Sequence, residues 1–278
     1  MRVLALVWRR RTGAFGLVWL GLLALGALVS AFWTPFDPQR TDPAASWLLP
    51  FTDGHVLGTD RIGRDQFSQL LVGARETLVV AVCSALVAAV VGLLLGLAAG
   101  YGPRWLGSAA VGVIDVLVAF PTLLLAMVLA AVYGSSLATV VAAIGIGFGV
   151  AVARVARAEI TAVRRSDYVL AARVGGAGTG RVIARHVLPN IAPTLIVQLS
   201  LVMALAVLVE AALTYLGYGS APSSPSWGGM LHEQQAHIAA RPLLVIWPGL
   251  AVALTVLALN LLGDALREAT DPRLVHAR

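Results

Sequence analysis

Residues 154–189 read RVARAEITAVRRSDYVLAARVGGAGTGRVIARHVLP, a polar island in an otherwise apolar chain. The stretch holds seven arginines (Arg154, Arg157, Arg164, Arg165, Arg173, Arg181, Arg185) against Glu159 and Asp167, a net charge of 7 − 2 = +5. Ala156, Ile160 and Val163 recur at i, i+4, i+7 and share one helical face, with Arg157 and Arg164 on another. Gly175, Gly176, Gly178 and Gly180 break that helix, and residues 181–188 can start a second short one that stops before Pro189. Helix, sharp turn, helix, all basic: such a piece can dock on something outside a membrane.

The rest of the chain supplies the membrane. Hydrophobic residues make up 59% of 278 and charged ones 12%, against about 45–50% and about 25% in soluble domains. Charge-free runs at 12–36, 77–103, 116–153, 187–209 and 242–263 each suffice for about 30 Å of hydrocarbon, which takes about 20 residues. The third is too long for one helix and is punctuated by Tyr133-Gly134-Ser135-Ser136, a turn signal. An all-α protein of six spans is expected, at about 12–34, 77–101, 109–132, 136–153, 190–214 and 243–263. Residues 35–76 and 215–242 form the loops on one side, and 154–189 the main loop on the other.

The arginines orient it, since the chain has no lysine. With both termini cytoplasmic, 15 of the 20 arginines lie inside; the opposite orientation would translocate the +5 loop. The net charge of +6 then reflects topology and contact with membrane lipid rather than nucleic-acid binding. Arg9-Arg10-Arg11 before an apolar run also fits a cleavable leader ending near Val29-Ser30-Ala31. The run exceeds the roughly 7–15 residues of such a leader, so an uncleaved first helix is expected. Cys83 is the only cysteine, which excludes an internal disulfide.

Spacing in the polar island then carries a resemblance. Leu170-Ala171-Ala172, Gly176 and Leu188-Pro189 resemble the Glu-Ala-Ala loop of permease subunits of bacterial ATP-binding-cassette importers. Leu170 stands where the family has Glu, and His186 where it has Ile. Leu57-Gly58-Thr59-Asp60, Gly63-Arg64-Asp65, Gly73-Ala74-Arg75, Ser224 to Met230 around Trp227, and Gly263 to Arg267 with Asp271-Pro272-Arg273 are similar to segments of the peptide/nickel subfamily. The resemblance implies a non-catalytic permease subunit in the cytoplasmic (inner) membrane of a bacterium, moving peptides or a similar small solute by alternating access. It also implies a second, homologous permease subunit, two cytoplasmic ATPase subunits that bind ATP and Mg, and an external substrate-binding protein. Residues 170–172, Gly176, Gly178, Leu188 and Pro189 would couple to the ATPases. Asp60, Arg64, Asp65 and Trp227 would lie at the external docking surface.

Other candidates have plainer readings beside the functional ones. Asp115, near the inner end of the third span, and Pro121, which must kink it, could line a pathway, or Asp115 could simply be solvated. Glu210, toward the outer end of the fifth span, is either an intramembrane functional carboxylate or one satisfied by Tyr215 or an external arginine. Gly92, Gly96 and Gly100 form a small-residue stripe suited to close helix packing within the subunit. Gly145-x-Gly147-x-Gly149 and the 176–180 glycines are not phosphate loops: no strand precedes them and no lysine exists to reach a phosphate. The chain itself is therefore expected to bind no cofactor, and its five scattered histidines (His55, His186, His232, His237, His276) make no metal spacing, so no metal is expected either. An ion- or proton-coupled carrier using Asp115, Glu210 and Asp264 is the alternative function.

Overall fold

The structure, a computed structural model, describes residues 2–219 and 224–270. Asp271-Pro272-Arg273, His276 and Arg278 lie outside the described residues. In chain order the helices are α1 (Arg2–Arg9), α2 (Arg11–Val29), α3 (Gln66–Tyr101), α4 (Arg104–Val118), α5 (Thr122–Tyr133), α6 (Leu137–Arg164), α7 (Asp167–Val174), α8 (Thr179–Val182), α9 (Leu188–Tyr215), α10 (Trp227–Gln234) and α11 (Leu243–Thr270). Among the described residues, five helical stretches are long and apolar enough to cross a membrane; α4 and α5 together pass the same test but are bent by 90° at their break. All-α architecture follows directly from the charge-free runs, because hydrocarbon leaves backbone groups no partner but their own helix.

The α3 and α6 helices outrun those runs, and packing explains why. The α3 helix starts at Gln66 because Asp65 caps it, its carboxylate accepting from the Ser68 N–H at 2.7 Å. The α6 helix runs on past Ala153 to Arg164, so several of the basic-loop arginines ride on a helix rather than a loop. Its buried Ala156 and Ile160 continue to meet the small stripe of α3: a Cβ at Gly92, Gly96 or Gly100 would stand 2.5 Å from Val152, 2.8 Å from Ala156 and 2.6 Å from Ile160. The stripe is thus an intrachain seam, as is the one on α6, where Gly145 and Gly149 meet Val87 and Val91 of α3.

At Pro121 the expected kink is a full corner: Pro121 has φ −59° and ψ 127° and hands the chain from α4 to α5. Pro189 does the reverse of what its ring suggests. Instead of stopping a short helix, it occupies the first turn of α9, where no N–H is needed. A wide helical turn over Ile183–Val187 leads into it, so residues Thr179–Tyr215 form one 37-residue rod. A widened turn admits the proline ring without a clash.

Candidate functional site

The basic end of the molecule is built on three buried valines. Val169 of α7, Val182 of α8 and Val187 of the wide turn join Ile160 of α6 and Ile191 of α9 in one apolar cluster. That seats the α7–α8 hairpin under the bundle instead of leaving it to swing. Tyr101, at the end of α3, adds a polar clasp: the guanidinium groups of Arg164 and Arg173 stand 5.4 and 5.6 Å from its ring centroid. Arg164 also donates to the Gly100 carbonyl.

The turn itself needs its glycine. Gly176 has φ +83°; its N–H donates to the Arg173 carbonyl at 3.0 Å, and that of Ala177 to the Ala172 carbonyl at 3.0 Å. This pair of bonds is the Schellman closure of α7, in which the left-handed residue is best a glycine. The closure presents Leu170 (61% exposed) and Val174 (83% exposed) outward, with Ala171, Gly176 and Gly178 also exposed. Exposed apolar side chains on a hairpin that also carries the exposed Arg173 and Arg181 make a surface suited to being covered. Of the predicted coupling residues, Leu170, Ala171, Ala172, Gly176 and Gly178 share this hairpin. Leu188 packs beneath it against the core and Pro189 starts α9. Val174 and Tyr101 were not singled out from sequence; a valine one residue before a glycine pair is the only signal Val174 gives.

The other end is organised by Arg64. Its Nε donates to Asp60 at 2.7 Å and its Nη2 to Glu233 of α10, tying the 37–65 segment to the loop after α9. Burial works against the Arg64 charge, but Asp60 and then Glu233 outweigh it, so its pKa stands above the ordinary guanidinium value. A group raised on folding stabilises the fold at every pH below its ordinary value, so this tie holds across the physiological range and loosens only in strong alkali. Asp60 is fully buried and also accepts from the Ile62 and Arg64 N–H groups at 2.9 Å. Asp65 caps α3 and receives His55 at 2.8 Å. Trp227 is buried against Gly73, where a Cβ would stand 2.7 Å from its ring, and donates to the Leu70 carbonyl at 3.0 Å. Asp60, Asp65 and Trp227 therefore face inward and hold this junction together. Replacing Arg64 with methionine is expected to strand the Asp60 carboxylate and to cost about 1.5–3 kcal/mol, read as a lower melting temperature and faster proteolysis within 37–65.

Glu210 is 2% exposed, and among the described residues neither Tyr215 nor an arginine reaches it. Thr214 donates to it at 3.1 Å and Thr77 of α3 approaches at 3.5 Å. Glu76, adjacent to Thr77 and also buried, stands within electrostatic reach of it, a neighbour invisible to hydropathy. Asp115 and Asp264 are exposed, on α4 and α11, so the three acids of a carrier relay, these two and Glu210, do not gather in a single buried cluster. Among the described residues no group of three or more His, Cys, Asp or Glu side chains forms a metal site.

Comparison with known proteins matches these features. Residues 92–276 match the family described as "Binding-protein-dependent transport system inner membrane component". The glutathione transport system permease protein GsiD of Pectobacterium atrosepticum is 37% identical, covering 96% of this chain and 90% of that protein. The di/tripeptide transport system permease protein DppC of Pseudomonas aeruginosa is 40% identical, over 94% and 88%. The nickel transport system permease protein NikC of Escherichia coli is 37% identical, over 93% of each. With its all-α bundle, its apolar spans and the Gly176 turn in place, the chain belongs to the binding-protein-dependent transport system inner membrane components, as a multi-pass permease of the type I ABC importer fold.

Proposed function

We propose that this chain is one of two homologous permease subunits of a peptide-type importer. ATP and Mg bind not here but on two cytoplasmic ATPase subunits, and an external binding protein delivers the cargo. The observation that carries the reading is the exposed Leu170–Val174 knob on a Schellman-closed turn, seated by Val169, Val182 and Val187. Because the hairpin is rooted in the α3, α6 and α9 cluster and α8 continues into the α9 rod, a push on the knob is delivered to three spans together. Coupling of two sites needs such a discrete element biased by both. With both termini inside, the knob faces the cytoplasm, and the junction around Arg64 faces out. Since Asp60, Asp65 and Trp227 are buried, the exposed Arg61 and Glu233 beside them are the residues that would touch a docking protein. The names of the relatives span peptides, glutathione and nickel; peptides or a similar small solute are the proposed cargo.

Cysteines placed at Ala172 or Thr179 are expected to cross-link to the ATPase subunits in the working assembly, and uptake in vesicles is expected to track ATP rather than the proton gradient. Cross-links that reach only lipid or solvent while uptake proceeds would remove the hairpin from the mechanism. Uptake that follows the proton gradient would favour the carrier built on Glu210.

A further inference from the structure

Three non-glycine residues of the 37–65 segment sit in the left-handed region: Trp47 (φ 62°), Phe51 (φ 64°) and Asp53 (φ 48°). Bulky residues adopt that conformation only against backbone strain, and the surroundings must impose it. Its result here is a segment that turns apolar side chains outward, with Phe51 83% and Leu49 58% exposed. Behind them Leu48, Pro50 and Leu57 face Leu243 and Leu244, at the head of α11, across a slot of about 150 Å³. The slot is apolar except at Thr59, whose hydroxyl is taken up by the Ala45 carbonyl and the Leu48 N–H, and at Arg241, whose guanidinium stands 5.9 Å from the Trp47 ring centroid. No carboxylate forms an ion pair with Arg241 among the described residues.

The slot does not end at the loop. Leu243, Ile246, Leu250 and Leu257 are all exposed and, at spacings of three, four and seven, form one stripe down α11. That stripe belongs to a helix long enough to cross the bilayer, so its head lies at the membrane boundary, opposite the arginine-rich hairpin. An apolar slot that opens onto a hydrocarbon-facing stripe, with one unneutralised guanidinium at its rim and aromatic residues beside it, has the form of an amphiphile site.

We propose that this slot binds one anionic glycerophospholipid. Its phosphate sits on Arg241, and one acyl chain enters between Leu57 and Leu244 and follows the α11 stripe. The strained aromatic turn is the wall that keeps the chain in register. A soluble partner would not extend along a stripe inside the bilayer, and an apolar protein face would leave the Arg241 charge unanswered.

The test uses the assembled importer in mixed micelles, with phosphatidylglycerol or phosphatidylcholine of the same acyl chains titrated in and retained lipid counted by native mass spectrometry. One phosphatidylglycerol per chain is expected to outlast the rest. Arg241→Gln, a rim change that leaves the core alone, should weaken its retention about fivefold while barely moving phosphatidylcholine. Leu57→Trp should fill the slot and displace both lipids in complexes that still elute as the parent assembly. Phosphatidylglycerol retention unchanged by Arg241→Gln overturns the proposal. So does efficient cross-linking of Leu49→Cys to the second permease subunit, which would make this face a subunit interface.

Discussion

Valine in place of Gly176 is expected to abolish uptake while all six spans remain inserted. The two halves of that result have separate causes. A Cβ at this position would meet nothing within 4 Å in this chain, so the bundle has no steric reason to fall apart. The backbone, however, sits at φ +83°, where an L-residue costs about 1–2 kcal/mol and a β-branched one more. That alone shifts the hairpin population by roughly 5- to 30-fold away from the closed turn, and the added methyls stand where a partner's groove would lie. Asparagine, which tolerates the left-handed region, should retain clearly more uptake than valine. Membrane insertion by protease accessibility and uptake in vesicles give the two readouts. Normal uptake by the valine variant would show that the turn transmits nothing.

Leucine at Gly92 or Gly96 should do the opposite: lower the stability of the fold itself. At Gly92 the new Cβ would lie 2.5 Å from Val152 Cγ1 and 3.1 Å from the Gly149 carbonyl; at Gly96 it would lie 2.8 Å from the Ala156 Cβ. Overpacking a close helix seam costs about 1–3 kcal/mol per site and forces the backbones apart. The α3–α6 seam also supports the clasp at Tyr101, so the hairpin would lose its seat. Thermal unfolding of purified protein should show a large loss at either site and almost none for Gly112→Leu, where nothing lies within 4 Å. Moving the methyl across the seam, with Gly96→Ala combined with Ala156→Gly, should recover most of what Gly96→Ala alone loses. Failure of that exchange would mean the contact does not limit stability.

Much of this architecture could be read before any coordinates. Apolar runs longer than a bilayer, a bend at Pro121, arginines on one side, and a glycine at a fixed distance from Ala171-Ala172 are local properties of the chain. Local rules govern them: the hydrocarbon thickness, the ring of proline, the conformational range of glycine. They sufficed for an all-α membrane protein with a basic helix-turn element within residues 154–189.

What could not be read is wherever one segment answers another. The basic helix around Ala156 and Ile160 is one unbroken helix with the span before it, α6, because α3 keeps offering small residues as far as Gly100. Asp60, Asp65 and Trp227 look like surface groups by type, yet they are buried because Arg64, the start of α3 and Gly73 supply their partners. Glu210 finds Thr77 and Thr214, and Glu76 beside it, rather than Tyr215 or an arginine, since two helices far apart in sequence cross at that level. A charge-free run shows that a helix can enter the membrane; where it ends, and which polar group is sealed inside, depends on contacts made across the bundle, and those exist only once the helices have packed.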